Sequence, residues 1–323
     1  MSHPASRVRH LRWVLLVVGG ALLALLVLKI GPRQMLDAWR HASKLPVLAA
    51  SLLFAATIAL RAVKWRLFLS NTNYPVGYRA CLQAYCLNTF FANLTPARSG
   101  EMLAPVWLAR HGVPTSTGVA VLIVDRTLDL LAVLTLFFLA AWNLSRLTPD
   151  DSAAYRTAGV VVSLLVGVAL VLFVLALLRL SVAIDLAGRL PGRLGARLTA
   201  ALTAFRDALV PFGHRRTLFA NLGLTFAGWL MDMLSSFILV RAFLPGLTFL
   251  ESATAAMFAC LAAIFSFIPG GIGIGAASYT AILALLGYDP YLAGSAAVLW
   301  TIVAHAVRAG LAGVFYHQGN ARR

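Results

Sequence analysis

Arg98 and Glu101 stand three residues apart in NLTPARSGEM, residues 93–102, between two stretches of mostly apolar chain. A guanidinium donates two parallel hydrogen bonds to a phosphate or a carboxylate. A carboxylate three residues along can pair with it if the segment after Pro96 is helical. Pro96 suits a helix start, and Thr95 and Ser99 can satisfy backbone donors freed there. A second set follows in VLIVDRTLDLLAV, where Asp125, Arg126 and Asp129 sit within an apolar run and Arg126 and Asp129 again have the i, i+3 spacing. A further acid, Asp232, lies in GWLMDMLSS, and PGGIGIG at 269–275 brings Pro269, Gly270, Gly271 and Gly273 together. Charges at membrane depth cost roughly 2.5–3.5 kcal/mol each on insertion scales, so they face a protein interior and pair. Two chemistries fit: internal salt bridges that hold helices together, or guanidinium groups beside a helix N-terminus that receive a phosphate head group. Asp232 either lines such a cavity or pairs with Arg126, with a structural role ranked slightly ahead.

The elements that carry these residues are set by composition. The 323 residues are 60% hydrophobic and only 12% charged, with mean hydropathy +0.84, as in a polytopic membrane protein. Apolar runs near 11–30, 46–66, 116–142, 157–180, 217–241 and 290–312 are long enough to cross a bilayer, which takes about 20 residues. Two further regions, 79–110 and 250–288, are broken by polar, Pro and Gly residues and read as helical hairpins that enter and leave on one side. The expected fold is therefore all-α, with about six full transmembrane helices plus two broken, re-entrant hairpins. A net charge of +16 belongs to the cytoplasmic loops of such a protein, not to a nucleic-acid site. With both termini cytoplasmic, eighteen of the 27 Lys and Arg fall inside, Arg61, Lys64 and Arg308 among them, and seven fall outside. Trp13 and Trp65 then mark inner span ends and Trp142 an outer one.

Each half of this topology, 11–142 and 157–316, has two spans, a hairpin and a third span, and the second half starts on the opposite side. That is an inverted repeat, the plan by which many secondary transporters place a site at the bilayer midplane. Cys86-Leu87 precedes Pro96 much as Cys260-Leu261 precedes Pro269. The segment 181–216 repeats leucine every four residues from Leu186 to Leu202, with Arg189, Arg193 and Arg197 in step, and breaks at Pro191-Gly192. It reads as one or two amphipathic helices on the inner leaflet. Arg7, Arg9 and Arg12 before an apolar run resemble a signal peptide, but the run is too long and lacks a cleavage site, so it is taken as the first span.

NLTPARSGE, the following DRTLD and PGGIGIG resemble the signature positions of the lysylphosphatidylglycerol synthase transmembrane, or flippase-like, domain family, over nearly the whole chain. The resemblance puts Pro96, Arg98, Gly100, Glu101, Arg126, Asp129, Pro269, Gly270, Gly271 and Gly273 at motif positions, with Asn93, Asp125 and Asp232 beside them. Asp125 stands where Glu is usual, and Ala276 stands about where the second motif commonly carries Glu. The chain ends soon after its last span, so it is expected to be a stand-alone member without the synthase domain. What the resemblance implies is a multi-pass lipid translocase of the bacterial cytoplasmic membrane. Its partners would be membrane lipids, with room for a separate lipid-modifying enzyme and for a homodimer. No catalytic residue, metal or cofactor is expected: Cys81, Cys86 and Cys260 have no ligand spacing, and of His41, His111, His214, His305 and His317 only His305 lies within a span. Competing readings are an intramembrane enzyme using Glu101 or Asp129 as general base on a lipid or polyprenyl-phosphate, and an accessory scaffold.

Overall fold

The computed structural model describes residues 20–21, 23–29, 31–41, 43–148, 152–210 and 214–320. Most of the first expected span, and Trp13 with it, lies outside them. Helix α1 (residues 23–29) leads to α2 (Pro32–His41) and α3 (Lys44–Leu69). The first broken region holds α4 (Tyr78–Asn93), a 3₁₀ turn over Pro96–Leu103 and the short α5 (Ala104–Ala109). Then come α6 (Thr115–Leu147), α7 (Ser152–Leu178), α8 (Leu180–Gly188), α9 (Gly192–Leu209) and α10 (Arg215–Arg241). The second broken region holds α11 (Phe249–Phe265), a 3₁₀ turn over Pro269–Gly271 and α12 (Ile274–Leu285), before α13 (Pro290–Asn320) closes the chain. No strand occurs among the described residues. The protein is an all-α membrane protein. The expected spans 46–66, 116–142, 217–241 and 290–312 lie within α3, α6, α10 and α13, and 157–180 coincides with α7 apart from its last two residues.

Packing follows from which faces are apolar. The helices α3 and α10 lie against each other, α4 packs on α13, α11 packs on α6, and the two 3₁₀ turns touch. One core cluster gathers Trp65, Phe68, Leu108 and Val121 with Ala304 and Ala312 of α13. A second gathers Leu239, Leu244, Leu247 and Leu283 with Ala50, Ala293 and Ala296. Helix α7, by contrast, packs on α6 while presenting Leu164, Leu165 and Leu172 outward, as a lipid-facing span does. Trp65 departs from its expected interfacial place: it is fully buried, edge-on to Tyr85 with centroids 5.1 Å apart. Its position near a span end in sequence did not take account of α3 continuing to Leu69 under the cover of α4.

Both breaks have local causes. Thr95 accepts a hydrogen bond at Oγ1 from the Gly100 amide (2.6 Å) and donates to the carbonyls of Phe91 and Ala92. That folds the turn so tightly over the end of α4 that a Cβ at Gly100 would run into the Phe91 carbonyl. In the second break Gly270, Gly271 and Gly273 all have positive φ, a backbone that side chains with a Cβ rarely adopt. Helix α11 starts at a reciprocal cap, in which Thr248 Oγ1 accepts from the Glu251 amide and Glu251 Oε2 accepts from the Thr248 amide. The Tyr288 hydroxyl lies 2.8 Å from Glu251 Oε2 and 3.2 Å from the Gly246 carbonyl, so the two ends of this region are tied together.

The basic segment forms α8 and α9, broken at Pro191-Gly192, with Gly192 at φ +78°. Leu186, Leu190, Leu194 and Leu198 are exposed, while Phe205, Ala208 and Leu209 pack onto the first core cluster. An exposed leucine row beside arginines suits the surface of an anionic leaflet, where each basic residue contributes about 1 kcal/mol. Spin labels at Leu194 and Leu198 are expected to report contact with lipid, and water exposure at both positions would rule this out.

Candidate functional site

Where α3, α6, α10 and α13 meet the two hairpin tips, they enclose a cavity of about 570 Å³. Of the residues singled out from the sequence, Asn93, Arg98, Glu101, Arg126, Asp129, Asp232, Gly270 and Gly271 line it. Pro96, Gly100, Pro269 and Gly273 shape the tips without lining it, and Asp125 is sealed behind the wall.

The first tip supplies Arg98 and Glu101. In a 3₁₀ turn, side chains three apart eclipse, so Arg98 Nε reaches Glu101 Oε1 at 2.6 Å. Arg98 adopts φ +55°, a left-handed conformation costly for a residue with a Cβ, and its side chain remains 47% exposed. The same Glu101 oxygen lies 3.2 Å from Arg126 Nη1. Arg126 Nη2 spans Asp125 Oδ2 at 2.7 Å, from the preceding residue, and Asp129 Oδ2 at 2.9 Å, on its own face of α6.

Two cations missing from the expected set complete the network. Lys64, 1% exposed, brings Nζ to 2.7 Å from Asp125 Oδ1 and 3.2 Å from Asp129 Oδ1, and also meets Thr225 Oγ1 at 3.2 Å. Arg61, one turn earlier on α3, reaches Asp129 Oδ2 at 3.6 Å and Asp232 Oδ2 at 2.9 Å, with its guanidinium over Trp229. Asp232 therefore pairs with Arg61, where the sequence had offered Arg126 as its partner; α3, lying directly along α10, places Arg61 on it. Arg61 and Lys64, counted by sequence among cytoplasmic loop charges, are core residues. Arg308 is a third correction of the same kind: it lines the cavity, stacked 4.7 Å over the Phe54 ring. Among the described residues it has no carboxylate within 4.0 Å. Their signal was present in the acids. Glu101, Asp125, Asp129 and Asp232 outnumber Arg98 and Arg126 at membrane depth, so further cations had to come from nominal span ends.

The tips themselves meet at the cavity. A Cβ at Gly270 would strike His305 Nε2 and press on the Asn93 carbonyl. Asn93 donates its side-chain amide to Thr89, at 2.6 Å. His305 has Nδ1 2.8 Å from the Thr301 carbonyl, while Nε2 is buried and unpartnered, as is Asp232 Oδ1. No cluster of three metal-ligating side chains occurs among the described residues.

The family model described as "Lysylphosphatidylglycerol synthase TM region" matches residues 12–311. Among curated relatives, a UPF0104 membrane protein of Pyrococcus horikoshii is 24% identical, the match covering 94% of this chain and 96% of that one. A UPF0104 membrane protein of Methanothermobacter thermautotrophicus is 26% identical, covering 91% of each. The glycosyltransferase AglD of Haloferax volcanii is 28% identical over 93% of this chain but only 54% of its own length.

Proposed function

Since the chain belongs to the lysylphosphatidylglycerol synthase transmembrane-region family, we propose that it is a lipid translocase of the bacterial cytoplasmic membrane, moving an anionic or modified phospholipid through the central cavity. The observation that carries this reading is a 570 Å³ chamber at membrane depth lined by guanidinium groups and bounded by two broken hairpin tips. A plain structural salt-bridge network needs no empty space beside it. Here Arg98 and Arg308 border an open volume with donors left over, and broken helices at a midplane cavity are how transporters hold charged cargo.

The halves 11–142 and 157–316 read as an inverted repeat. Helices α3 and α10 face one another, and each hairpin packs against the closing span of the other half, α4 on α13 and α11 on α6. The hydrogen bond that ties Tyr288 to Gly246 supports a re-entrant second hairpin with both ends on the outer face. With both termini cytoplasmic, a membrane-impermeant thiol reagent added outside is expected to label Gly246→Cys and Asp289→Cys but not Asn71→Cys. Labelling of Asp289→Cys without Gly246→Cys would mean a full crossing and break the repeat.

Purified protein in proteoliposomes, with no other component, should move a phospholipid between leaflets without altering it. Recovery of a lipid with a changed head group would point to an intramembrane enzyme, and absence of both movement and change to an accessory scaffold.

A further inference from the structure

The charge balance of the cavity, resting on the translocase reading, specifies the head group. Its wall presents four guanidiniums and three carboxylates, while Lys64 and Asp125 offset one another behind it. One positive charge is left over, and geometry locates it. Arg308 is the lining arginine that has no carboxylate within 4.0 Å among the described residues. Asp232 acts on it only from beyond 4.0 Å, and a buried charge without a contacting partner is costly until a counter-charge arrives. One negative charge closes the account; two overshoot it, and a zwitterion or a cation leaves it open.

The same wall has two unmet acceptors. Asp232 Oδ1 is buried without a partner. His305 keeps Nδ1 against the Thr301 carbonyl, so in the neutral ring that nitrogen carries the proton and Nε2 is an acceptor, also without a partner. Buried acceptors of this kind call for O–H or N–H donors. Ala276, also on the wall, adds no carboxylate that would favour an amine.

We infer that the cavity takes a lipid whose head group is a monoanionic phosphodiester bearing free hydroxyls, with the phosphodiester on Arg308 and Arg98 and the hydroxyls on Asp232 and His305. Cargo selection then follows the net charge of the wall, so changing one wall residue changes the preferred head group.

The test is competition among lipids for the full-length protein in detergent, read by native mass spectrometry as the ratio of bound species. Probes are phosphatidylglycerol, phosphatidylethanolamine, phosphatidic acid and lysylphosphatidylglycerol. The wild type is expected to retain phosphatidylglycerol at least about tenfold over each of the others. Arg308→Lys should keep that order, Arg308→Gln should lose the preference over phosphatidylethanolamine, and Asp232→Asn should shift retention toward phosphatidic acid. No order in the wild type, or the wild-type order surviving in Asp232→Asn, would overturn the assignment even if Arg308→Gln fails to fold. Soluble glycerophosphoglycerol should displace the bound lipid at higher concentration than phosphatidylglycerol does, and glycerophosphoethanolamine should not. Displacement by neither would remove the head group as the recognised element, and equal potency of the soluble diester would make a free phosphodiester the ligand. Binding is read without movement. Correct binding order with no transport therefore overturns the translocase reading alone, and transport with no binding order overturns the head-group assignment alone.

Discussion

Lys64→Met is expected to lower the melting temperature in detergent sharply, as a loss of about 3–5 kcal/mol, the usual cost of removing one partner from a buried ionic network. Lys64 is the most deeply placed cation of the site, bridging Asp125 and Asp129 of α6 from α3. Without it Asp125, fully buried, retains only Arg126, which it shares with Asp129, and the remaining partner of Asp129 is Arg61 at 3.6 Å, already engaged by Asp232. Because methionine matches the length of the lysine stem, a cavity term contributes little. The companion variant Lys64→Met with Asp125→Asn removes charge of both signs and should recover much of the loss. An unchanged melting temperature for the single variant would mean that this ion pair does not hold α3 to α6.

Arg98→Gln should do the opposite, abolishing lipid movement while leaving the fold intact. Its bond to Glu101 is short, but the side chain is half-exposed, and exposed pairs contribute about 0–1 kcal/mol. Glu101 would not be orphaned, because Arg126 Nη1 still reaches the same oxygen at 3.2 Å. What is lost is a guanidinium on a tip bordering the chamber. The double variant Arg98→Gln with Glu101→Gln separates the two roles: it should fold and remain inactive if Arg98 receives the lipid phosphate. Transport restored by that double variant would reduce Arg98 to a structural partner.

The contrast between these residues also explains what could be read in advance. The two broken regions were visible because Pro, Gly and charge interrupt otherwise apolar runs, and the residues at the breaks, Arg98, Glu101, Gly270 and Gly271, border the cavity. The pairings of Arg98 with Glu101 and of Arg126 with Asp129 followed from spacing along one element. Arg61, Lys64 and Arg308 were hidden because loop-charge counting treats a basic residue near a span end as solvated, whereas α3 runs on to Leu69 and α13 to Asn320. The partner of Asp232 is 171 residues away. Helix-to-helix registry of that kind follows from packing α3 on α10, which local periodicity does not encode. Removing these three cations from the expected cytoplasmic tally leaves fifteen against seven, so the expected asymmetry keeps its direction.

The contact between the hairpin tips has a mechanical consequence. At Gly270 the space that a Cβ would need is already taken by the ring of His305 and the carbonyl of Asn93, so the glycine backbone sits close to both. Side-chain interfaces absorb small displacements by changing rotamer; a main-chain abutment transmits them. The two tips thus share a contact with little slack, through which a displacement of one bears on the other. On the translocase reading, substitutions that enlarge the gap at this contact are expected to weaken the coupling between opening on one face of the membrane and closing on the other.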